Sequence, residues 1–370
     1  MNLLNNRLLQ ELKKREEEGR LRKLSVANQG IDFWSNDYLG FARNMDLQKR
    51  ILEFVNSHSE VCSGSTGSRL ISGNTAFVMD VEDYIARKHR VGSVLLFPSG
   101  YVSNLSFFSS IPQKSDCVLL DEKIHRSVID GCRLSGAKRW KFRHNDLNHL
   151  EDLIRRSSGQ VWVAVESLYS MDGDFAPLRE LVGLCKKYEA SLIVDEAHAI
   201  GTFGLGLISS YGLMDDVFAC IVTYGKAMGQ SGAAILGSHE LKSYLVNFAS
   251  PFIYSTGMPD FHAGSIKLSY EFLEENGSYG QALQQNINRF LNEGAKEGKL
   301  ESPIRPIRFE NISDLGKAME LLSENKILSY AVKSPSVAKH EEMIRINLHS
   351  FNHPDEINLL KEIINEFKNE

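Results

Sequence analysis

The chain has 370 residues, of which 42% are hydrophobic and 24% charged, the proportions of a globular protein with room for one large core and a smaller one. Its formal net charge of −5 gives no electrostatic case for a nucleic-acid or membrane-surface partner. Five cysteines (Cys62, Cys117, Cys132, Cys185, Cys220) lack C-x-x-C spacing and read as free thiols of a reducing compartment, and no apolar run nears the ~20 residues of a membrane span, so a cytoplasmic protein is expected.

Residues 2–23 carry Leu4, Leu8 and Leu12 at helical spacing amid Lys, Arg and Glu. That pattern predicts an amphipathic helix, and it lacks the unbroken apolar core of a secretory leader. The run FWSNDYLGFA (Phe33 to Ala42) signals a strand breaking into a turn. The next motif, CSGSTGSRLISGN (Cys62 to Asn74), packs Gly64, Gly67 and Gly73 among hydroxyl residues. It matches neither the dinucleotide fingerprint nor the nucleotide P-loop.

From Val91 onward short apolar runs alternate with amphipathic helices: VGSVLLF, CVLLDE, KRWKFR, VWVAVES and SLIVDEAHA are the strands. Repeated β-α units predict an α/β fold with a mostly parallel central sheet and helices on both faces. Ligands in such sheets bind beyond the carboxyl ends of the strands. Gly100 and Tyr101, His125 and Ser170 each follow one of these strands. Gly100 opens a helix whose backbone amides suit an anion, although taken alone the Gly-Tyr pair is better explained by a tight turn with a core-packed tyrosine. Ala233 to Leu236 and Phe252 to Tyr254 are expected to be the last strands of the large domain. Residues 261–300 read as two helices parted by EENGS, and from Pro303 a β-α-β-β-α order predicts a smaller α+β C-terminal domain. The expected division is 1–35 for the N-terminal helix and arm, 36–256 for the large domain, and 257–370 for linking helices and the small domain.

The chain is organised around SLIVDEAHAIGTFG and TYGKAMGQSG. An apolar strand ends in Asp195, His198 follows three residues on, and Lys226 sits in a small-residue loop after Thr223. Pyridoxal 5'-phosphate (PLP) needs a lysine for its Schiff-base linkage and an acid that keeps its pyridine nitrogen protonated. Strand-terminal aspartates and loop lysines are each common; D-E-A-H with G-K-A-x-G at this separation is far more specific. GTFGLG follows D-E-A-H rather than a bare strand, so a loop past the site explains it better than a dinucleotide fingerprint does.

With these motifs, the sequence resembles the α-oxoamine synthases of the fold-type I PLP enzymes, from about Asn36 to the C-terminal end. FWSNDYLGFA matches their SNDYLGL element, and CSGSTGSRLISGN their GSGGSRLxSGN, with Thr66 in place of a glycine. The resemblance implies that Lys226 binds PLP, that His125 lies over its ring and touches substrate, and that Asp195 and His198 face the pyridine nitrogen and phenolic oxygen. It implies cofactor contacts from Gly100, Tyr101, Ser170 and Thr223. It also implies that Ser255 and Thr256 reach the cofactor phosphate of a second subunit in a homodimer. Gly257 to Asp260 depart from the family's pattern there, and Leu24 to Asp32 is shorter than usual. Arg22, Ser336 and Arg345 stand where the family has substrate-binding residues.

The implied activity is acyl transfer: L-alanine and a pimeloyl thioester condense with loss of CO2 and thiol, the biotin-synthesis branch of the family. The rivals are a synthase using glycine or serine with another acyl-CoA, and a non-catalytic protein that keeps the fold. The joint presence of Lys226, Asp195, His198 and His125 argues against the latter. No metal ligand set is expected.

Overall fold

The computed structural model describes residues 3–18, 20–24, 26, 29–292, 300–309, 312–332, 337 and 341–367. Two compact units emerge. The larger comprises residues 35–304 and 347–351, and the smaller comprises 1–34, 305–346 and 352–370.

The larger unit is built on a seven-stranded sheet, ordered Ser93–Phe97, Ala233–Gly237, Ala219–Thr223, Ser191–Asp195, Val161–Glu166, Cys117–Asp121, Lys138–Phe142. Only Ala233–Gly237 runs antiparallel to its neighbours. Interior strands such as CVLLD and VWVAVE, and also the edge strand SVLLF, are buried along their whole length, which is why they read as continuous apolar runs rather than alternating ones. Their side chains nonetheless alternate between faces. Trp162, Ala164 and Ile193 join one apolar layer with Phe107, Phe108, Val128 and Leu245. Val161, Val163, Val165, Leu192 and Val194 join the other with Leu150, Leu181 and Cys185. The edge strand KRWKF is exposed except at Phe142, and its lysines and arginine suit an edge that must not pair with another chain.

Helix starts are set by short polar side chains. Ser99 caps Gly100–Ser110 by accepting from the Val102 N–H, and Thr75 and Asp146 do the same for Ala76–His89 and Leu147–Arg156. The helices Asp260–Glu275 and Ser278–Leu291 pack within the larger unit; Ile266 and Tyr270 share an apolar cluster with Val78, Ile85 and Met228.

One expectation is corrected here. Phe252 to Tyr254 is no strand: Ser250–Ile253 is a short helix, with Pro251 in its first turn. Proline has no N–H for a sheet ladder, but its fixed φ suits a helix start.

The smaller unit holds a three-stranded sheet, ordered Tyr330–Val332, Met343–Asn347, Ile304–Arg308, and the helices Ile312–Glu324 and Pro354–Glu366. The short strand Ile31–Asp32 pairs in parallel with Ile327–Leu328. His353 and Glu356 form a reciprocal cap at the start of the last helix. The N-terminal helix Leu3–Glu17 forms as expected, with Leu4, Leu8 and Leu12 exposed. Among the described residues, no helix is long and apolar enough to cross a membrane.

Candidate active site

Parallel strands end together at one edge of the sheet, and here three adjacent ones end in carboxylates: Asp121, Glu166 and Asp195. Asp195 is 7% exposed. Its Oδ1 accepts from the Ala197 N–H at 2.9 Å and its Oδ2 from Asn104 Nδ2 at 2.8 Å. The turn after Asp195 brings His198, 4% exposed, between two partners. Its Nε2 lies 2.7 Å from Lys226 Nζ and its Nδ1 2.7 Å from the Tyr38 hydroxyl. Lys226 follows the neighbouring strand Ala219–Thr223, so strand order alone places it beside Asp195 and His198.

His125 occupies the N-cap of the helix Arg126–Ser135. Asn104 donates its second amide proton to Ser127 Oγ at 3.0 Å, and Ser127 stands 2.7 Å from His125 Nδ1. The Ser127 N–H also donates to that nitrogen. Nδ1 is therefore an acceptor, and a neutral His125 carries its proton on Nε2. Burial lowers the pKa of His125 from 6.5; Asp195 opposes that shift and Lys226 reinforces it. One connected chain, His125–Ser127–Asn104–Asp195, thus links two of the residues singled out in the sequence.

Glu166 was not foreseen. It is in register with Asp195 on the adjacent strand, and burial, reinforced by the charge of Asp195, pushes its carboxyl up to about 8. Burial therefore favours the protonated form of Glu166 near neutral pH. The signal available in the sequence was a second apolar run ending in an acid, VWVAVE. Glu196, also buried and pushed up to about 7 by that burial, accepts from the N–H groups of Leu207 and Ile208 at 2.7 and 3.1 Å. It thereby ties down the GTFGLG loop, where Gly206 has φ +102° and a Cβ would overlap the Glu196 carboxylate.

Gly100 and Tyr101 begin their helix directly against Thr223. A Cβ on Gly100 would stand 2.5 Å from Thr223 Oγ1. Only glycine leaves this cradle of helix-terminal amides and a hydroxyl open, which fits a phosphate. The Tyr101 hydroxyl donates to Asp130 at 2.8 Å. Ser170 is half-buried in the turn after Val161–Glu166, and its N–H donates to Glu166 Oε2 at 3.2 Å.

That turn is clamped by His144. Its Nδ1 lies 2.9 Å from Asp121 Oδ1 and its Nε2 2.6 Å from Asp174 Oδ2. Asn145 donates to Asp174 and to the Phe175 carbonyl, both at 3.1 Å, and its N–H to Asp121 Oδ2 at 3.0 Å. The segment before His125 and the turn carrying Ser170 are thus held to one another.

Ser255 is half-buried and Thr256 exposed. Both lie against the glycine-rich motif: Thr256 bridges Ser68, and the Gly257 N–H donates to the Gly67 carbonyl. Thr66, standing where the family has glycine, adopts φ +56°, the left-handed region that favours glycine. That motif is anchored by Arg69, whose guanidinium pairs with Glu82; Glu82 also takes Lys242 Nζ at 2.8 Å. In the smaller unit Arg22 is exposed, and Arg345, 9% exposed, stands opposite Tyr330 in its sheet. Ser336 lies outside the described residues.

The residue set fits PLP: a buried strand-end carboxylate, an amine, a histidine beside each, and a helix start against the Thr223 hydroxyl that a Cβ on Gly100 would obstruct.

Comparison with known proteins agrees. The family described as aminotransferase class I and II matches residues 28–359. The 8-amino-7-oxononanoate synthase of Chromobacterium violaceum is 36% identical over 324 residues, which are 86% of this chain and 84% of that protein. The crystal structure of 8-amino-7-oxononanoate synthase from Francisella tularensis superposes with a TM-score of 0.77 at 29% identity, covering 91% of this chain and 97% of that one. Serine palmitoyltransferase from S. paucimobilis, solved with bound PLP-myriocin, gives a TM-score of 0.87 at 22% identity over 100% of both chains, a likeness of fold.

Proposed function

This chain belongs to the α-oxoamine synthases, PLP-dependent acyltransferases of the aminotransferase class I and II fold, and we propose that it condenses L-alanine with a pimeloyl thioester, on CoA or a carrier protein. The products are 8-amino-7-oxononanoate, CO2 and free thiol, a step of biotin synthesis in the cytoplasm. The observation that carries this reading is the cluster at the sheet edge, with Lys226 Nζ 2.7 Å from His198 and His125 wired to Asp195 through Ser127 and Asn104. The match to 8-amino-7-oxononanoate synthases supports the choice of substrates.

In this site Lys226 would hold PLP, and its amine is the group placed to move the substrate's α-proton. Bound PLP supplies an electron sink for the substrate's α-carbon. Asp195, held in place by two hydrogen-bond donors, would face the pyridine nitrogen. Glu166, largely protonated beside it, adds little competing negative charge near neutral pH. His125 would cover the ring with Nε2–H as its remaining donor, and His198 would face the phenolic oxygen. Gly100, Tyr101 and Thr223 hold the phosphate, with Ser170 as a further cofactor contact. Arg22, Ser336 and Arg345 bind substrate, and Ser255 and Thr256 complete the phosphate site of a partner subunit in a homodimer.

A matrix of L-alanine, glycine and L-serine against pimeloyl, acetyl and palmitoyl thioesters, read as CO2-coupled thiol release, tests the substrates. Alanine with the pimeloyl donor should give the highest kcat/KM. A preference for glycine or serine would move the chain to another branch of the family.

A further inference from the structure

We propose that Tyr38 is a positioning residue of this site, holding His198 with its ring proton on Nδ1 so that Nε2 is turned to the cofactor side and to Lys226. Hydrogen-bond polarity here runs from a fixed end. The Ser35 carbonyl can only accept, and Asn347 Nδ2 lies 2.8 Å from it, which settles which end of the Asn347 amide is nitrogen. The same nitrogen stands 3.4 Å from Asn36 Oδ1, so Asn36 presents its oxygen on this side. That oxygen takes the Tyr38 hydroxyl proton at 3.2 Å.

A hydroxyl has one proton to give. With it committed to Asn36, the Tyr38 oxygen meets His198 Nδ1, 2.7 Å away, as an acceptor. Nδ1 therefore bears a proton whether the ring is neutral or charged. In the neutral ring Nε2 is a lone pair, 2.7 Å from the Lys226 amine, which has protons to donate. The opposite tautomer would require the Tyr38 proton to leave Asn36 for Nδ1, breaking the run of donors that leads back to the Ser35 carbonyl, so polarity along the chain favours the proton on Nδ1.

The surroundings hold Tyr38 rigid. It is fully buried, and its ring lies near-parallel to that of His349 with centroids 6.4 Å apart. His349 Nε2 is itself 3.0 Å from the Ser35 carbonyl. The SNDYLG segment thus acts on Lys226 through a histidine 160 residues away in the chain.

The catalytic consequence rests on the role given to His198 under the proposed function; the tautomer does not. The test is therefore spectroscopic first. The PLP-loaded enzyme, labelled with 15N-histidine, is examined by long-range 1H–15N correlation, with the His198 signals identified by their loss in His198→Gln. Wild type should show a protonated Nδ1, and Tyr38→Phe should shift the population toward a bare Nδ1. Asn36→Asp, which keeps an acceptor for the Tyr38 proton, should retain the wild-type pattern. A bare Nδ1 in the wild type overturns the proposal even if the tyrosine variant fails to fold, and so does an unchanged pattern in a folded Tyr38→Phe.

Turnover supplies the second readout. Tyr38→Phe should lower kcat about 10- to 100-fold with KM within about 2-fold, and should cost nothing further in the His198→Gln background. A full, additive loss in that background overturns the claim that Tyr38 acts through His198. A shifted tautomer with unchanged kcat would instead remove His198 from its assigned role and leave the positioning itself standing.

Discussion

Replacing His144 with glutamine should remove a pH-dependent part of the protein's stability. The ring is bracketed by Asp121 and Asp174 at 2.9 and 2.6 Å, and its own side chain is 13% exposed. Burial opposes the charged form, but hydrogen bonds to the two aspartates outweigh it, and the pKa stands at about 9 against an ordinary 6.5. A pKa raised by folding contributes stability that is fully present below pH about 6.5 and is lost as pH climbs through about 9. At face value the difference corresponds to about 3.4 kcal/mol. Asp174 is 42% exposed, so water screens its share, and about 1–2 kcal/mol is the expected effect. Glutamine keeps hydrogen-bonding capacity but cannot take up the proton. Urea denaturation of PLP-saturated wild type and His144→Gln at pH 6, 7.5, 9 and 10 gives the difference directly. Wild type should lead most at pH 6, and its lead should shrink by about 1–2 kcal/mol by pH 10. A constant gap across that range would refute the charged clamp.

Lys226→Ala should abolish PLP fixable by borohydride, read by mass spectrometry of the Lys226 peptide; a wild type that forms no reducible adduct there would sink the site assignment. Asp195→Asn should retain the fold but lose about 10²–10³ in kcat, because a neutral amide stabilises a protonated pyridine nitrogen poorly; near-normal turnover removes Asp195 from that role. Thr66→Gly should raise stability by about 0.5–1 kcal/mol, since relief of the left-handed conformation exceeds glycine's entropic cost; an unchanged or lower denaturation midpoint counts against strain there. A Lys226→Ala chain mixed with a Thr256→Ala chain should recover about half of wild-type activity per heterodimer, since one site then carries both defects and the other neither. No recovery despite verified subunit exchange, with Thr256→Ala itself impaired, would show that Thr256 does not act across an interface.

What could be read from the chain alone was whatever depends on near neighbours. The apolar runs SLIVD and VWVAVE announce buried strands because a strand covered on both faces has no polar side to show. D-E-A-H and G-K-A-x-G announce the cofactor because the acid, the histidine and the lysine each lie at a strand end or in the turn after it. Local pattern misled at Phe252 to Tyr254, where aromatic residues suggested a strand and Pro251 decided for a helix. Sheet order and register were settled only in the folded chain. They set Glu166 against Asp195, bring Asn104 between Ser127 and Asp195, clamp His144 between Asp121 and Asp174, and carry Tyr38 to His198. These partners lie far apart in the chain, and a polar side chain at a strand end looks the same in sequence whether it meets water or another carboxylate. Which it meets depends on strand neighbours that only tertiary packing chooses, and with that choice come the proton positions on which the site's chemistry depends.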